Sequence, residues 1–367
     1  MDRLTELRIA LVTPSFAPQV GGAETYIAHL VAGLGKTRAV DVVAPARRGL
    51  PALAAVEGGR VHRVGPVATS SGARRALTFA PAARRELRSI RPDVVLAQYS
   101  GLMPAARYAA EARVPLVAIV HDVYGLRENL RWRGLSGALR YLGNDRLLAR
   151  AHPDVVVAVS EATAAEVRKI VRCPVVVAHP GSDPAPEGPD PVEGSRTVLF
   201  VGRLVPSKGP LDAARALESL RRRVPGMRLR MVGTGPESAR LPEWVEVEPP
   251  LDDPSLDLAF RTSTCLVLPS RREGWGLVLT EAVARGLPYV AYDIPAVREQ
   301  HQIAGGGRLV PPGDVAGLAA AVEALVADPA ARAALGARGR IASGELRWTD
   351  TVRAVRCAID LAMDSAR

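Results

Sequence analysis

Residues 180–196 read PGSDPAPEGPDPVEGSR, with five prolines, three glycines and no apolar periodicity. Proline withholds an amide donor and glycine loosens the backbone, so the stretch reads as a linker rather than as a helix or strand. The chain repeats one pattern on either side of it. Upstream, LRIALVT (7–13), VDVVAP (40–45), PDVVLA (92–97), VPLVAIV (114–120) and DVVVAVS (154–160) are near-continuous runs of valine, isoleucine and leucine. Such runs suit strands buried on both faces, as parallel sheets require. Helix candidates at 23–35, 79–90, 101–112 and 161–171 separate them. Downstream the alternation restarts with TVLFVGR (197–203), a helix at 209–223, RLRMVG (228–233), EWVEVEP (243–249) and STCLVLPS (263–270). A helix from about 276, PYVAYD (288–293), GRLVPP (307–312) and helices at 314–326, 329–340 and 349–363 complete it. The expectation is an α/β protein of two doubly wound, Rossmann-like domains, each on a parallel sheet and facing the other across a cleft.

Composition agrees with two domains of ordinary size in 367 residues, 48% of them hydrophobic and 23% charged. The net charge is +10. Basic stretches lie early, at Arg74, Arg75, Arg84, Arg85, Arg88 and Arg91, and at Arg127, Arg131, Arg133, Arg140, Arg146 and Arg150. They lack interleaved aromatics and any zinc or RNA-binding signature, so no nucleic-acid partner is expected. Solvated helix faces account for most of them, and peripheral contact with acidic lipid headgroups is the lesser reading. The three cysteines, Cys173, Cys265 and Cys357, have neither metal nor redox spacing, which fits a reducing cytoplasm. MDRLTELRIALV has no secretory pattern, and no apolar run is long enough to span a bilayer. The expectation is a cytoplasmic protein, peripheral at most on the inner face of the cell membrane.

In open α/β sheets ligands bind beyond the carboxyl ends of the strands, so chemistry is sought in the loops there. After strand 7–13, Gly21 and Gly22 open a helix whose amides can meet an anion, with Glu24 in its first turn; a flexible turn explains the same residues. After strand 197–201, Arg203 and Lys208 flank a turn, one a planar fork and the other a compact charge, suited to a diphosphate. Gly233 and Gly235 follow the next strand without the third glycine of a dinucleotide fingerprint, so a close backbone approach and a plain turn compete. In SRREGWGLVLTE (270–281), amides at Gly276, Leu277 and Val278 begin a helix and could take phosphate oxygens. Glu281 lies about one turn in, tilted back towards the same mouth, and Glu273 precedes the turn. His121 directly follows an apolar strand, with Asp122 beside it to orient it, and Ser160 reads as a helix cap.

Together these segments resemble the family 4 retaining glycosyltransferases of the GT-B fold. EGWGLVLTE (273–281) is similar to the family's E-x-F-G-x-x-x-x-E motif, with Trp275 in place of the commoner phenylalanine. VGRLVPSKG resembles its donor-diphosphate loop, PQVGGAE its N-terminal glycine loop, and HDVYG and VSEAT fall in the expected order. The resemblance implies an N-terminal acceptor-binding domain over 1–185, a C-terminal nucleotide-sugar domain over 196–346, and a helix over 347–367 crossing back to the first. It implies that Arg203 and Lys208 hold the diphosphate, assisted by the amides of Gly276, Leu277 and Val278. Glu281 would hold the ribose, Glu273 the hydroxyls of the donor sugar, and His121 would lie near that sugar. Gly21 and Gly22 would approach the phosphates, with Gly233 close to the nucleotide. The chain has no Asp-x-Asp, so a metal-independent reaction without a cofactor is expected, the nucleotide sugar being a co-substrate.

The implied reaction moves a hexose from a UDP- or GDP-sugar to a hydroxyl of a lipid, glycan precursor or small metabolite. The acceptor would be chosen by stretches near 69–79 and 124–146. Rival readings are a GT-B protein that binds nucleotide sugars without turnover, a dehydrogenase or epimerase, which the missing fingerprint disfavours, and an RNA-binding protein, for which charge alone speaks.

Overall fold

The computed structural model describes residues 7–19, 21–67, 72–123, 146–185 and 194–365, with side chains from 78 in the helix that begins at 72. Residues 69–71 of the first expected acceptor stretch, 124–145 of the second, 124–146, and most of the linker, 186–193, lie outside the described residues. The chain divides into two compact units, Met1–Pro180 with Trp348–Arg367, and Gly181–Arg347.

The first unit is built on β1 (Arg8–Val12), β2 (Ala39–Pro45), β3 (Leu53–Val56), β4 (Gly59–Val64), β5 (Val94–Gln98), β6 (Leu116–Val120), β7 (Val155–Ala158) and β8 (Val175–Val177). Its described strands lie in the order β3-β4-β2-β1-β5-β6-β7-β8. All pairs are parallel except β3 with β4. Leu11 is opposite Val42 on one side and Leu96 on the other, so β1 is central. The hairpin of β3 and β4 corrects the expectation of a wholly parallel sheet. Its residues are mostly half-exposed, so they lack the long apolar runs by which the buried strands are recognised.

The helices are α1 (Gly22–Gly35), α2 (Gly72–Ile90), α3 (Leu102–Ala112) and α4 (Glu161–Val167). α2 begins seven residues before the expected start at 79 and carries Pro81 inside it. α4 stops short of the expected 171, and its cap is the anticipated one: Ser160 Oγ accepts from the Thr163 amide at 3.0 Å. The last described helix of the chain, Trp348–Ser365, also belongs to this unit. Its Val355, Ala358, Ile359 and Ala362 are fully buried in one cluster with Ile9, Tyr26 and Leu30. Each fully buried aliphatic side chain of valine or isoleucine size contributes about 1.5–3 kcal/mol, enough to hold a terminal helix in place. Thr351 Oγ1 donates to the His179 carbonyl at 2.6 Å, and Trp348 stacks on His29 with 4.1 Å between centroids.

The second unit contains β9 (Thr197–Val201), α5 (Pro210–Arg221), β10 (Arg228–Val232), β11 (Glu246–Glu248), α6 (Asp253–Arg261), β12 (Cys265–Leu268) and α7 (Leu277–Ala284). They are followed by β13 (Tyr289–Tyr292), α8 (Pro295–Ala304), β14 (Gly307–Val310), α9 (Val315–Ala327) and α10 (Pro329–Ser343). The described strands run β11-β10-β9-β12-β13-β14, all parallel. In both sheets the first strand of the unit lies between the second and a later one, so the winding reverses there and leaves a crevice at the strand ends. α6 and α8 are additions to the sequence reading, since both begin in proline and polar residues that read as loop. The Asp252 carboxylate caps α6 by accepting from the Ser255 amide at 3.0 Å.

One ion cluster fixes the far end of α7. Asp257 accepts from Arg261 Nε at 2.7 Å and from Arg285 Nε at 2.6 Å, and Arg285 Nη1 donates to the Glu281 carbonyl at 3.0 Å. Burial alone would raise the Asp257 carboxyl, but hydrogen bonds from Arg261 and Arg285 outweigh it and hold it below the usual range. A depressed carboxylate stabilises the fold above its unfolded value, near pH 4, and loses that contribution as pH falls through the depressed one. Asp257→Asn should therefore cost about 1.5–3 kcal/mol at neutral pH. Denaturant titrations of both proteins should begin to converge as pH falls below about 4; an equal gap at pH 3 and 7 would contradict this account.

Candidate active site

In the second unit the loops after β9 and β12 meet at the reversal of strand order. β9 runs into Gly202 and Arg203, and a 3₁₀ turn over Pro206–Lys208 leads to Gly209, whose φ of 69° lies in the left-handed region. A Cβ on Gly209 would stand 2.2 Å from the Pro269 carbonyl oxygen, so only glycine allows the two loops this approach. The Arg271 amide donates to the Ser207 carbonyl at 2.9 Å, binding the loops through their backbones. Asp212, buried in the first turn of α5, accepts from the Arg271 guanidinium and from Tyr292 Oη at 3.1 Å.

The consequence is an ion pair. Lys208 Nζ lies 2.6 Å from each oxygen of Glu273, whose side chain is 8% exposed against 20% for the lysine. A charge-assisted contact to both oxygens is among the stronger hydrogen bonds a protein makes. Arg203 is exposed and makes no ion pair among the described residues. Trp275 is buried in the core, so the tryptophan in the motif serves to pack the turn.

α7 begins at Gly276, with φ 100°, and no side chain caps it. The Leu279 amide turns back to the Gly276 carbonyl at 2.8 Å. Leu277 and Val278 start the helix half-buried, and an uncapped helix start offers free amides and a positive dipole end to an anion. Glu281 follows within the same helix. Burial pushes its carboxyl up, Arg285 pulls it down, and Asp183 and Asp253 add to the rise. Gly233 closes β10, and a Cβ there would stand 2.0 Å from the Gly202 carbonyl oxygen. The close approach inferred from the sequence is made at this position by the chain itself.

In the first unit the corresponding strand ends carry a separate set. Gly21 precedes α1, Gly22 is its first residue, and no side chain caps it. A Cβ on Gly21 would meet the Glu24 carboxylate at 2.5 Å, and the other Glu24 oxygen accepts from Ser15 Oγ. His121 follows β6, and burial pulls it down to about 4. Its ring stacks on Tyr99 at 5.5 Å and lies perpendicular to the Tyr26 ring at 5.2 Å between centroids. Tyr99 holds a φ of 48°, a costly backbone for a bulky residue, beside the ring it stacks on.

The sequence reading names Asp122 as the residue orienting His121, and the structure corrects it. His121 Nε2 lies 2.5 Å from Gln98 Oε1, and Gln98 Nε2 donates to Thr13 Oγ1 at 2.7 Å. Gln98, Thr13 and Asp212 are the residues that the sequence reading missed. A readable signal existed for the first two: each is a polar residue closing an apolar parallel strand at its carboxyl end. Among the described residues no group of three or more histidine, cysteine, aspartate or glutamate side chains is placed to hold a metal ion. No described helix is long and apolar enough to cross a membrane.

Comparison with known proteins agrees with this architecture. The family model described as Glycosyltransferase Family 4 matches residues 20–186, and that described as Glycosyl transferases group 1 matches residues 184–342. The chain is 30% identical to the GDP-mannose-dependent alpha-(1-6)-phosphatidylinositol monomannoside mannosyltransferase of Mycolicibacterium smegmatis, over 90% of this chain and 92% of that one. It is 33% identical to a glycogen synthase of Mycobacterium tuberculosis over 70% of this chain, spanning only 66% of that protein's length. Sucrose-phosphate synthase from Thermosynechococcus elongatus superposes with a TM-score of 0.81 at 20% identity, covering 98% of this chain and 100% of the other. The two parallel α/β units are those of the GT-B fold, and the chain belongs to the family 4 glycosyltransferases.

Proposed function

We propose that this protein is a retaining hexosyltransferase that moves a hexose from a nucleoside-diphosphate sugar to a hydroxyl acceptor. The observation that carries the reading is the Lys208–Glu273 pair, held at the crevice of the second sheet by the backbone tie between Arg271 and Ser207. A UDP- or GDP-sugar is the favoured donor, and the GDP-mannose dependence of the mycobacterial relative supports the second of these.

In this reading Lys208 and Arg203 hold the diphosphate and neutralise the charge that develops on it as the glycosidic bond breaks. The free amides of Leu277 and Val278 and the dipole of α7 add to that field. Glu281 accepts from the ribose hydroxyls. Glu273 takes hydrogen bonds from the sugar while keeping the Lys208 ammonium at the phosphates. The family resemblance assigns His121 of the first unit to the donor sugar and the amides of Gly21 and Gly22 to its phosphates. The acceptor hydroxyl attacks from the face that the leaving diphosphate vacates, and a phosphate oxygen takes its proton. This gives retention without a nucleophile from the protein. The acceptor is a lipid, a glycan precursor or a small metabolite, with the basic first unit suited to a lipid or phosphorylated one at the membrane surface.

The reading is tested by turnover with a panel of UDP- and GDP-hexoses, beside thermal shifts with the free nucleoside diphosphates, which stabilise by mass action if they bind. Binding without transfer to any acceptor would leave a non-catalytic protein. Lys208→Ala should lower kcat by about 10²–10³-fold. It should also lower Tm by a few degrees, because Glu273 is left buried without its partner. Arg203→Ala should lower kcat with no change in Tm, its side chain being exposed; unchanged turnover in both variants would place the site elsewhere. Since two cations supply the charge that a metal would otherwise bring, turnover should persist in excess EDTA.

A further inference from the structure

At the carboxyl ends of three neighbouring strands of the first sheet, Thr13 follows β1, Gln98 closes β5 and His121 follows β6. The direction of every hydrogen bond among these residues follows from chemistry. Thr13 Oγ1 lies 2.7 Å from the Ser15 carbonyl oxygen, which can only accept, so the hydroxyl spends its one proton there. Thr13 Oγ1 must then accept from its other neighbours, the Ser15 amide at 3.3 Å and the Gln98 side chain at 2.7 Å. Gln98 therefore turns its NH₂ to Thr13 and its carbonyl oxygen to His121, which it meets at 2.5 Å. An amide oxygen cannot donate, so His121 Nε2 carries the proton. Burial keeps the ring neutral, hence Nδ1 has none.

Among the described residues nothing reverses that assignment. Gln98 is 1% exposed, so no water competes freely for its amide. The Tyr26 hydroxyl is engaged with the Ala178 carbonyl at 3.3 Å, the Tyr99 ring stacks on His121, and the Tyr26 ring lies at right angles to it. No hydrogen bond reaches His121 Nδ1 among the described residues.

We propose that Gln98 is a positioning residue that, oriented by Thr13, locks His121 as the Nε2–H tautomer and leaves Nδ1 as an acceptor for a sugar hydroxyl. The second half rests on the reading above that His121 meets the donor sugar. It narrows the donor: a bare imidazole nitrogen rewards a hydroxyl and repels a carboxylate, so a neutral hexose is used in preference to a uronic acid. Which ring nitrogen is protonated is commonly set by the bond that the other residue makes to it, and here the setting residue is an amide rather than an acid.

The test is nitrogen-15 NMR of the full chain labelled at histidine, which distinguishes the two tautomers directly. Wild type should show the Nε2–H form of His121. Gln98→Met removes the acceptor, and Thr13→Val, close in shape, removes the group that orients the amide; both should populate the Nδ1–H form. Each should lose about three- to tenfold in kcat with the donor KM within about twofold, the size expected of one neutral hydrogen bond. An Nδ1–H ring in wild type, or an unchanged tautomer in both variants, overturns the proposal. A changed tautomer with full turnover would leave Gln98 its role and remove His121 from the donor sugar.

Discussion

A single backbone hydrogen bond, from the Arg271 amide to the Ser207 carbonyl, joins loops that are more than sixty residues apart in sequence. The contact exists because β9 and β12 are parallel neighbours, so their following loops leave the sheet at the same edge. Glycine at 209 lets the loops close, and Asp212 clamps Arg271 from the start of α5. Lys208 and Glu273 are positioned by that closure. The first sheet has a looser counterpart, in which the ends of β1, β5 and β6 are connected through side chains rather than through backbone.

The two arrangements differ in electrostatic character. At the second sheet the groups are charged, and taking an ammonium and a carboxylate out of water costs several kcal/mol each unless the geometry is close to ideal. The contact of Lys208 to both Glu273 oxygens meets that demand before any ligand arrives. At the first sheet the groups are neutral. Burial suppresses the charge on His121, and an amide sets the position of its proton. The charged pair at the second sheet and the neutral chain at the first thus meet the same problem of burying polar groups in different ways.

Much of this was legible in the sequence. Apolar runs that do not alternate can only be strands covered on both sides, and their repetition identifies the parallel sheets. The motif residues Arg203, Lys208 and Glu273 lie in the loops at strand ends, where a parallel sheet places its ligand, and Glu281 lies in the helix that follows. The β3–β4 hairpin was not legible, because its residues are half-exposed and carry no strong period. Nor were α6 and α8, which carry proline in their first turn. Asp122 seemed the natural partner of His121 because it is adjacent in sequence. His121 lies just past β6, however, and its partner Gln98 comes from the end of the neighbouring strand β5. Pairings across a sheet depend on strand order, which no local pattern encodes.

The terminal helix Trp348–Ser365 has a consequence for how the chain acquires its structure. Residues 181–347 form their unit from one continuous segment, whereas the first unit draws on both ends of the chain. The core around Tyr26 and Ile9 is open along the side that Val355, Ile359 and Ala362 fill. On a ribosome, where synthesis proceeds at about 5–20 residues per second, the segment made later can complete its core first. The earlier one waits, with apolar surface exposed, until the last helix has emerged. In vectorial synthesis the unit begun first is thus the one whose core can be completed last.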